Sequence, residues 1–151
     1  MGLQGVNRVL IAVRDLDAAR QRYSELLGAH FEDAGWTGEP FGIAVAIAWD
    51  AGIELCAPLP GRERDSAVSA FLERHGEGVM NVFFAVDDVE AATRQAEACG
   101  VACAHALDYS AQEIDAHLGG RFRRYTESFL DTFSELGVSI SLAAIEPKPS
   151  P

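Results

Sequence analysis

Cysteine is scarce in this chain of 151 residues. The three thiols, Cys56, Cys99 and Cys103, form no C-x-x-C pair. That excludes a disulfide scaffold and the common cysteine metal motifs, and points to reduced thiols used as small apolar residues. Positive charge is short as well, with 12 Lys and Arg against 23 Asp and Glu, a formal net charge of -11. So acidic a chain is poorly suited to nucleic acid or to anionic membrane surfaces, and neither is expected as a partner. No apolar run approaches the roughly 20 residues that cross a bilayer, and the amino terminus lacks the basic flank and apolar core of a signal peptide. A soluble cytoplasmic protein is the expectation.

What the sequence does hold is a repeat. Val9, Ala12, Val13, Asp15, Ala18 and Ala19 align with Val82, Ala85, Val86, Asp88, Ala91 and Ala92. Each copy opens with an apolar run that reads as a strand, Val6 to Val13 and Met80 to Val86. A helix then begins at an aspartate suited to an N-cap, Asp15 in the first copy and Asp87 or Asp88 in the second. The first helix carries a stripe of Leu16, Ala19, Tyr23, Leu26 and Leu27 and stops at Gly28; the second carries Val89, Ala92, Ala96 and Cys99 and stops at Gly100.

Strands are predicted after the first helix at 29–33, 41–49 and 52–57, with a turn at 35–40, so the first module, 6–57, reads βαβββ. Residues 58–79 form a linker with a short helix whose Val68, Phe71 and Leu72 share a face. The second module, 80–145, has predicted strands at 101–106, 121–130 and 138–144 and a helical insertion at 110–118. Helical spacing of Phe129, Phe133 and Leu136 leaves the stretch from 126 to 136 open between strand and helix. The tail, 146–151, is too rich in proline to be expected to fold.

Two βαβββ modules with Arg14-Asp-Leu-Asp-Ala-Ala19 after the first strand resemble the vicinal oxygen chelate superfamily, which includes glyoxalase I, extradiol dioxygenases, bleomycin-resistance proteins and methylmalonyl-CoA epimerases. The segments Gly52-Ile-Glu-Leu-Cys-Ala-Pro-Leu59, Arg64-Asp-Ser-Ala-Val-Ser-Ala-Phe-Leu72 and Gly76-Glu-Gly-Val-Met80 are similar to the middle of the epimerases. The resemblance implies one α+β domain in which both modules form a cupped mixed sheet. It also implies that the metal-ligand positions of the metal-dependent members fall on Arg8, Glu54, Asn81 and Ser141. Only Glu54 is of a usual ligand type, whereas a divalent ion in a catalytic site needs roughly three protein ligands. Arg8 has no neutral form with which to coordinate. No metal and no other cofactor is therefore expected.

Two readings of these four positions stand side by side. In one, an Arg8–Glu54 ion pair, hydrogen-bonded by Asn81 and Ser141, fills a vacated metal site. In the other, Arg8 binds an anionic oxygen, and Glu54 orients it or acts as a base. Phe83, His105, Arg123, Tyr125 and Glu127 are added as ligand-binding candidates, with Arg123, Tyr125 and Glu127 placed on one face by strand alternation. The four histidines, His30, His75, His105 and His117, show no ligand spacing.

The functional expectation is a homodimer that binds a small anionic or carbonyl compound without metal. It would act either as a sequestering module or as a cofactor-free isomerase or lyase. The alternatives are a metal-dependent epimerase or glyoxalase, and a structural partner protein whose cup is closed to ligands.

Overall fold

The computed structural model describes residues 2–150, which form two compact units, Arg8–Met80 and residues 81–150 together with 2–7. The first unit takes in most of β1 (Leu3–Ala12), then α1 (Leu16–Leu27), β2 (Glu32–Asp33), α2 (Gly35–Gly38), β3 (Ile43–Ala48), β4 (Ile53–Pro58) and α3 (Ala67–His75). A single 3₁₀ turn, Glu39–Phe41, separates α2 from β3. The second unit holds β5 (Gly78–Val86), α4 (Val89–Ala98), β6 (Cys103–Asp108), α5 (Ala111–His117), β7 (Phe122–Leu130), α6 (Phe133–Leu136) and β8 (Ser139–Pro147). The class is α+β, and each copy of the repeat is a βαβββ module.

The modules share one strand topology, which the repeat in the sequence only implied. In the first, β2 and β3 are antiparallel, as are β3 and β4, while β4 runs parallel to β1. The second repeats this with β6, β7, β8 and β5. The helix starts match too. Asp15 accepts a hydrogen bond from the Ala18 amide at 3.0 Å, and Asp88 accepts one from the Ala91 amide at 2.9 Å. Each satisfies an amide that the first helical turn leaves without an intrahelical partner. Gly28 ends α1 with φ of 69°, a conformation costly for any side chain with a Cβ, and its amide bonds to Ser24.

Both faces of the first unit's sheet are apolar, which explains why β1 reads as a continuous hydrophobic run. On one face Val9, Ile11, Ile53, Leu55 and Ala57 pack against Leu16, Ala19 and Tyr23 of α1. On the other, Ala12, Val45, Ile47 and Cys56 meet Val68, Phe71 and Leu72 of α3, as the spacing of that helix predicts. In the second unit α4 covers one face, where Val89 and Ala92 join Val86, Leu142 and Ala144.

Several expectations need correction. Leu26 and Leu27 are 62% and 61% exposed, so the stripe of α1, half-buried at Leu16, Ala19 and Tyr23, ends a turn early. Cys99 is exposed and Cys103 half-buried, and only Cys56 is the buried thiol expected of all three. The turn expected at 35–40 is built of short helical turns that run on to Phe41, so the next strand starts at Ile43, and the first strand after α1 has shrunk to two residues. Strand wins over helix at 126–130, because each residue from Thr126 to Leu130 has a partner in β8. The start of the tail is ordered: β8 runs on to Pro147, opposite Phe122, and the Lys148 amide bonds to the Arg121 carbonyl. Pro151 lies outside the described residues.

Candidate functional site

Register builds a charged pair in the first unit. Glu54 lies between Leu10 of β1 and Ile47 of β3, so its side chain rises on the face that also carries Arg8, two residues before Leu10. The Arg8 Nε donates to Glu54 Oε2 at 3.0 Å, with the two residues 2% and 7% exposed. Trp49 lies on the same face, its ring centroid 5.4 Å from the Arg8 guanidinium carbon, a distance suited to a cation–π contact. Cys56, one step further along this face of β4, is wholly buried, and burial together with the Glu54 charge pushes its thiol pKa far above the ordinary range.

The second unit carries a neutral counterpart. Asn81 donates from Nδ2 to Ser141 Oγ at 2.8 Å, and these residues are 3% and 0% exposed. A row crosses this face of the sheet from Phe83 through Ser141 and Phe129 to His105. Phe83 meets Phe129 edge to face at 5.8 Å, and Phe129 lies 5.7 Å from the His105 ring. The next step of β7 on this face, Glu127, pairs with Ala143 and Leu107 and is 2% exposed. Tyr125 follows, buried, against Tyr109 and Phe122. Opposite, α4 takes the other face, where Thr93 bonds to Ser128.

Of the candidates, then, Arg8 and Glu54 come together as one pair and Asn81 and Ser141 as another. Phe83, His105, Tyr125 and Glu127 share a face with the second pair. Arg123 does not. A register shift between Phe122 and Arg124 takes it out of the alternation, and it sits on the surface with Nε 2.9 Å from Glu146. Arg124 reaches the same carboxylate at 3.6 Å. Trp49 beside Arg8 was open as a wall residue from the sequence, while Phe129 beside Phe83 was not singled out. The odd-numbered parity of Tyr125, Glu127 and Phe129 was the available signal for Phe129.

Neither pair, taken by itself, is a set of groups suited to a divalent ion. Arg8 brings a permanent cation, and Glu54 already accepts from it. Asn81 Nδ2 and Ser141 Oγ bond to each other. Among the described residues, no three His, Cys, Asp or Glu side chains cluster in a way that would hold a metal.

Residues 7–118 match the profile of the Glyoxalase/Bleomycin resistance protein/Dioxygenase superfamily. The chain belongs to this superfamily. None of the curated proteins matches it. Among solved structures of the superfamily's fold, methylmalonyl-CoA epimerase from Mycobacterium tuberculosis is similar at 28% identity, over 97% of this chain and 90% of that one, with a TM-score of 0.67. A substituted Streptomyces coelicolor methylmalonyl-CoA epimerase in complex with 2-nitronate-propionyl-CoA is 26% identical over 95% and 98% of the two chains, with a TM-score of 0.69. A methylmalonyl-CoA epimerase in complex with methylmalonyl-CoA and NH4+ is also 26% identical, over 95% of each chain, with a TM-score of 0.67. No helix of the described residues is long and apolar enough to cross a membrane.

Proposed function

We propose that this chain binds a small anionic or carbonyl compound at Arg8 and does so without a metal ion. The observation that carries the reading is the buried Arg8–Glu54 pair, 3.0 Å apart on an otherwise apolar face. Apolar residues of similar volume would fill such a place at no cost in stability, so a buried ion pair is an expensive filling. A guanidinium is a planar fork of N–H donors that matches the geometry of a carboxylate. A fixed cation in a dry site stabilises a carboxylate, or the oxygen of an enolate as it forms, far more than it would in water.

The ligand class suggested by the similar structures is a coenzyme A ester of a short acid, since two of them hold 2-nitronate-propionyl-CoA and methylmalonyl-CoA. Two modes share this site. As a cofactor-free isomerase or lyase, the chain would remove the proton beside the thioester carbonyl, Arg8 holding the enolate oxygen and Glu54 orienting Arg8 or taking the proton. As a sequestering module it would bind and not react. Titration with methylmalonyl-CoA in D2O, followed by NMR, separates them: binding with deuterium entering the α-carbon supports the first mode, and binding without it the second. Absence of binding overturns both.

The likeness to epimerases favours a second reading, metal-dependent epimerase or glyoxalase chemistry at ligands other than those four positions. Elemental analysis of protein purified without chelator would then find about one ion per chain, the stoichiometry of a catalytic site. Under the metal-free reading it finds none.

The proposal places the chain in the cytoplasm as a homodimer, with edges and helices of one copy meeting another across a twofold axis. Sedimentation at micromolar concentration should show a species of twice the 16.2 kDa chain mass. A clean monomer would contradict this.

A further inference from the structure

Arg20 of α1 is half-buried, and its one bond runs from Nη2 to the Phe31 carbonyl at 3.5 Å. Among the described residues no carboxylate bonds to it, although acidic residues outnumber basic ones by 23 to 12. Arg14, Arg64 and Arg74 make no ion pair either, but they are exposed and water serves them. Water reaches Arg20 only in part.

With Ser24, His30 and Phe31, Arg20 lines a cleft of about 430 Å³. It lies on the face of the first unit's sheet that α1 covers, opposite to the face of Arg8 and Glu54. The loop that makes its wall is pinned. Ser24 Oγ donates to the Ala29 carbonyl at 2.8 Å, and the His30 amide and ring Nδ1 both bond to Asp50, the ring at 2.7 Å. The hydrogen bond from the His30 side chain holds the Asp50 carboxyl below its usual pKa, so Asp50 is an anion that keeps a proton on Nδ1. Nε2 of the largely exposed ring is left to meet a ligand.

A guanidinium fork takes two oxygens, and an imidazole at the same cleft takes a third. A carboxylate has only two, whereas a phosphate monoester has three. Nε2 accepts from the P–O–H group of the monoanion or, once protonated, donates to the dianion. The cleft exceeds a phosphate ion and falls in the range of roughly 300–1,000 Å³ that takes a small organic molecule, with Phe31 as an apolar wall. The carboxyl end of α1 opposes an anion with about half an elementary charge, against the full charge of Arg20.

We propose that this cleft binds a phosphate monoester of a small organic molecule, with Arg20 on two phosphate oxygens, His30 Nε2 on the third and the organic group against Phe31. Arg8 has no part in it.

Phenyl phosphate and benzoate test it, since each is an anion on a ring and only the first has a third oxygen. Titration of the full chain, followed by two-dimensional NMR at neutral pH, should show phenyl phosphate binding about tenfold more tightly, the ratio expected for one further charge-assisted hydrogen bond. The largest shifts should fall at Arg20, Ser24 and His30. Arg20→Gln should weaken phenyl phosphate about tenfold or more, while Arg22→Gln, which removes the same charge from an exposed neighbour, should not. His30→Ala should remove the preference over benzoate. No binding of phenyl phosphate, equal binding of the two probes, equal effects of the two arginine variants, a preference that survives His30→Ala, or shifts centred on Arg8 or on Arg121, Arg123 and Arg124 would overturn the proposal. If Arg20→Gln or His30→Ala does not fold, the Arg20 Nε resonance of the unaltered protein decides: saturable movement with phenyl phosphate supports the site, and none refutes it. Failure here leaves the reading of Arg8 standing, and failure of methylmalonyl-CoA to bind leaves this test intact.

Discussion

Arg8 and Glu54 are bound to each other at 3.0 Å in a place where both are shielded from water. Removing one partner strands the other as an uncompensated buried charge. Arg8→Met alone should therefore cost about 3–5 kcal/mol of stability in denaturant unfolding. Pairing it with Glu54→Gln removes both charges and should bring stability back near its original value. If Arg8 also holds ligand, the double variant should lose about 2–5 kcal/mol of affinity for methylmalonyl-CoA. Unchanged affinity in a double variant that folds normally would make the pair a structural filling and end the proposal for Arg8.

Cys56 should be chemically silent in the folded protein. Burial raises its thiol pKa well beyond the range in which a thiolate forms, and the charge of Glu54 adds to the effect. Ellman's reagent at mildly alkaline pH should label exposed Cys99 quickly and half-buried Cys103 more slowly, reaching Cys56 only after denaturant is added. Rapid labelling of all three thiols in the native protein would show that the face carrying Cys56 opens.

The cap at Asp88 should leave a signature in acid. The Ala91 amide donates to its carboxylate and holds its pKa below the usual aspartate range, helped by the charge of Arg94. A depressed folded-state pKa stabilises above the unfolded value, near ~3.9, and that contribution is lost as pH falls through the folded value. Asp88→Asn keeps an acceptor for the Ala91 amide but does not titrate. Its melting temperature should fall less steeply than that of the unaltered protein between about pH 5 and pH 2. Parallel curves would show that the carboxylate charge at this cap does not matter.

The duplication was legible because the features that repeat are local. An apolar run, an aspartate cap and a helical stripe are each set by neighbours in sequence, and the structure has them at Val9, Asp15 and Ala19 and again at Val82, Asp88 and Ala92. The Arg8–Glu54 ion pair followed from the resemblance, whereas the direct bond between Asn81 and Ser141 was not among the expectations. The bulge at Arg123 was not visible, because parity counting assumes an unbroken ladder and no residue type there announces the extra residue. The order of residues 146–148 was hidden by the prolines of the tail, which lack a donor but can stand at the last rung of a ladder, as Pro147 does opposite Phe122.

Glu146 bears on how the protein should be made. Its carboxylate receives both Arg123 and Arg124, at 2.9 and 3.6 Å, and two residues later Lys148 reaches Asp115 on α5 at 2.9 Å. Trimming the chain after Ala144 on the strength of its proline content would leave two adjacent arginines without their shared counter-ion. It would also unlatch α5 from the end of β8. Expression tags and fusion partners belong after residue 148, with the last strand left whole.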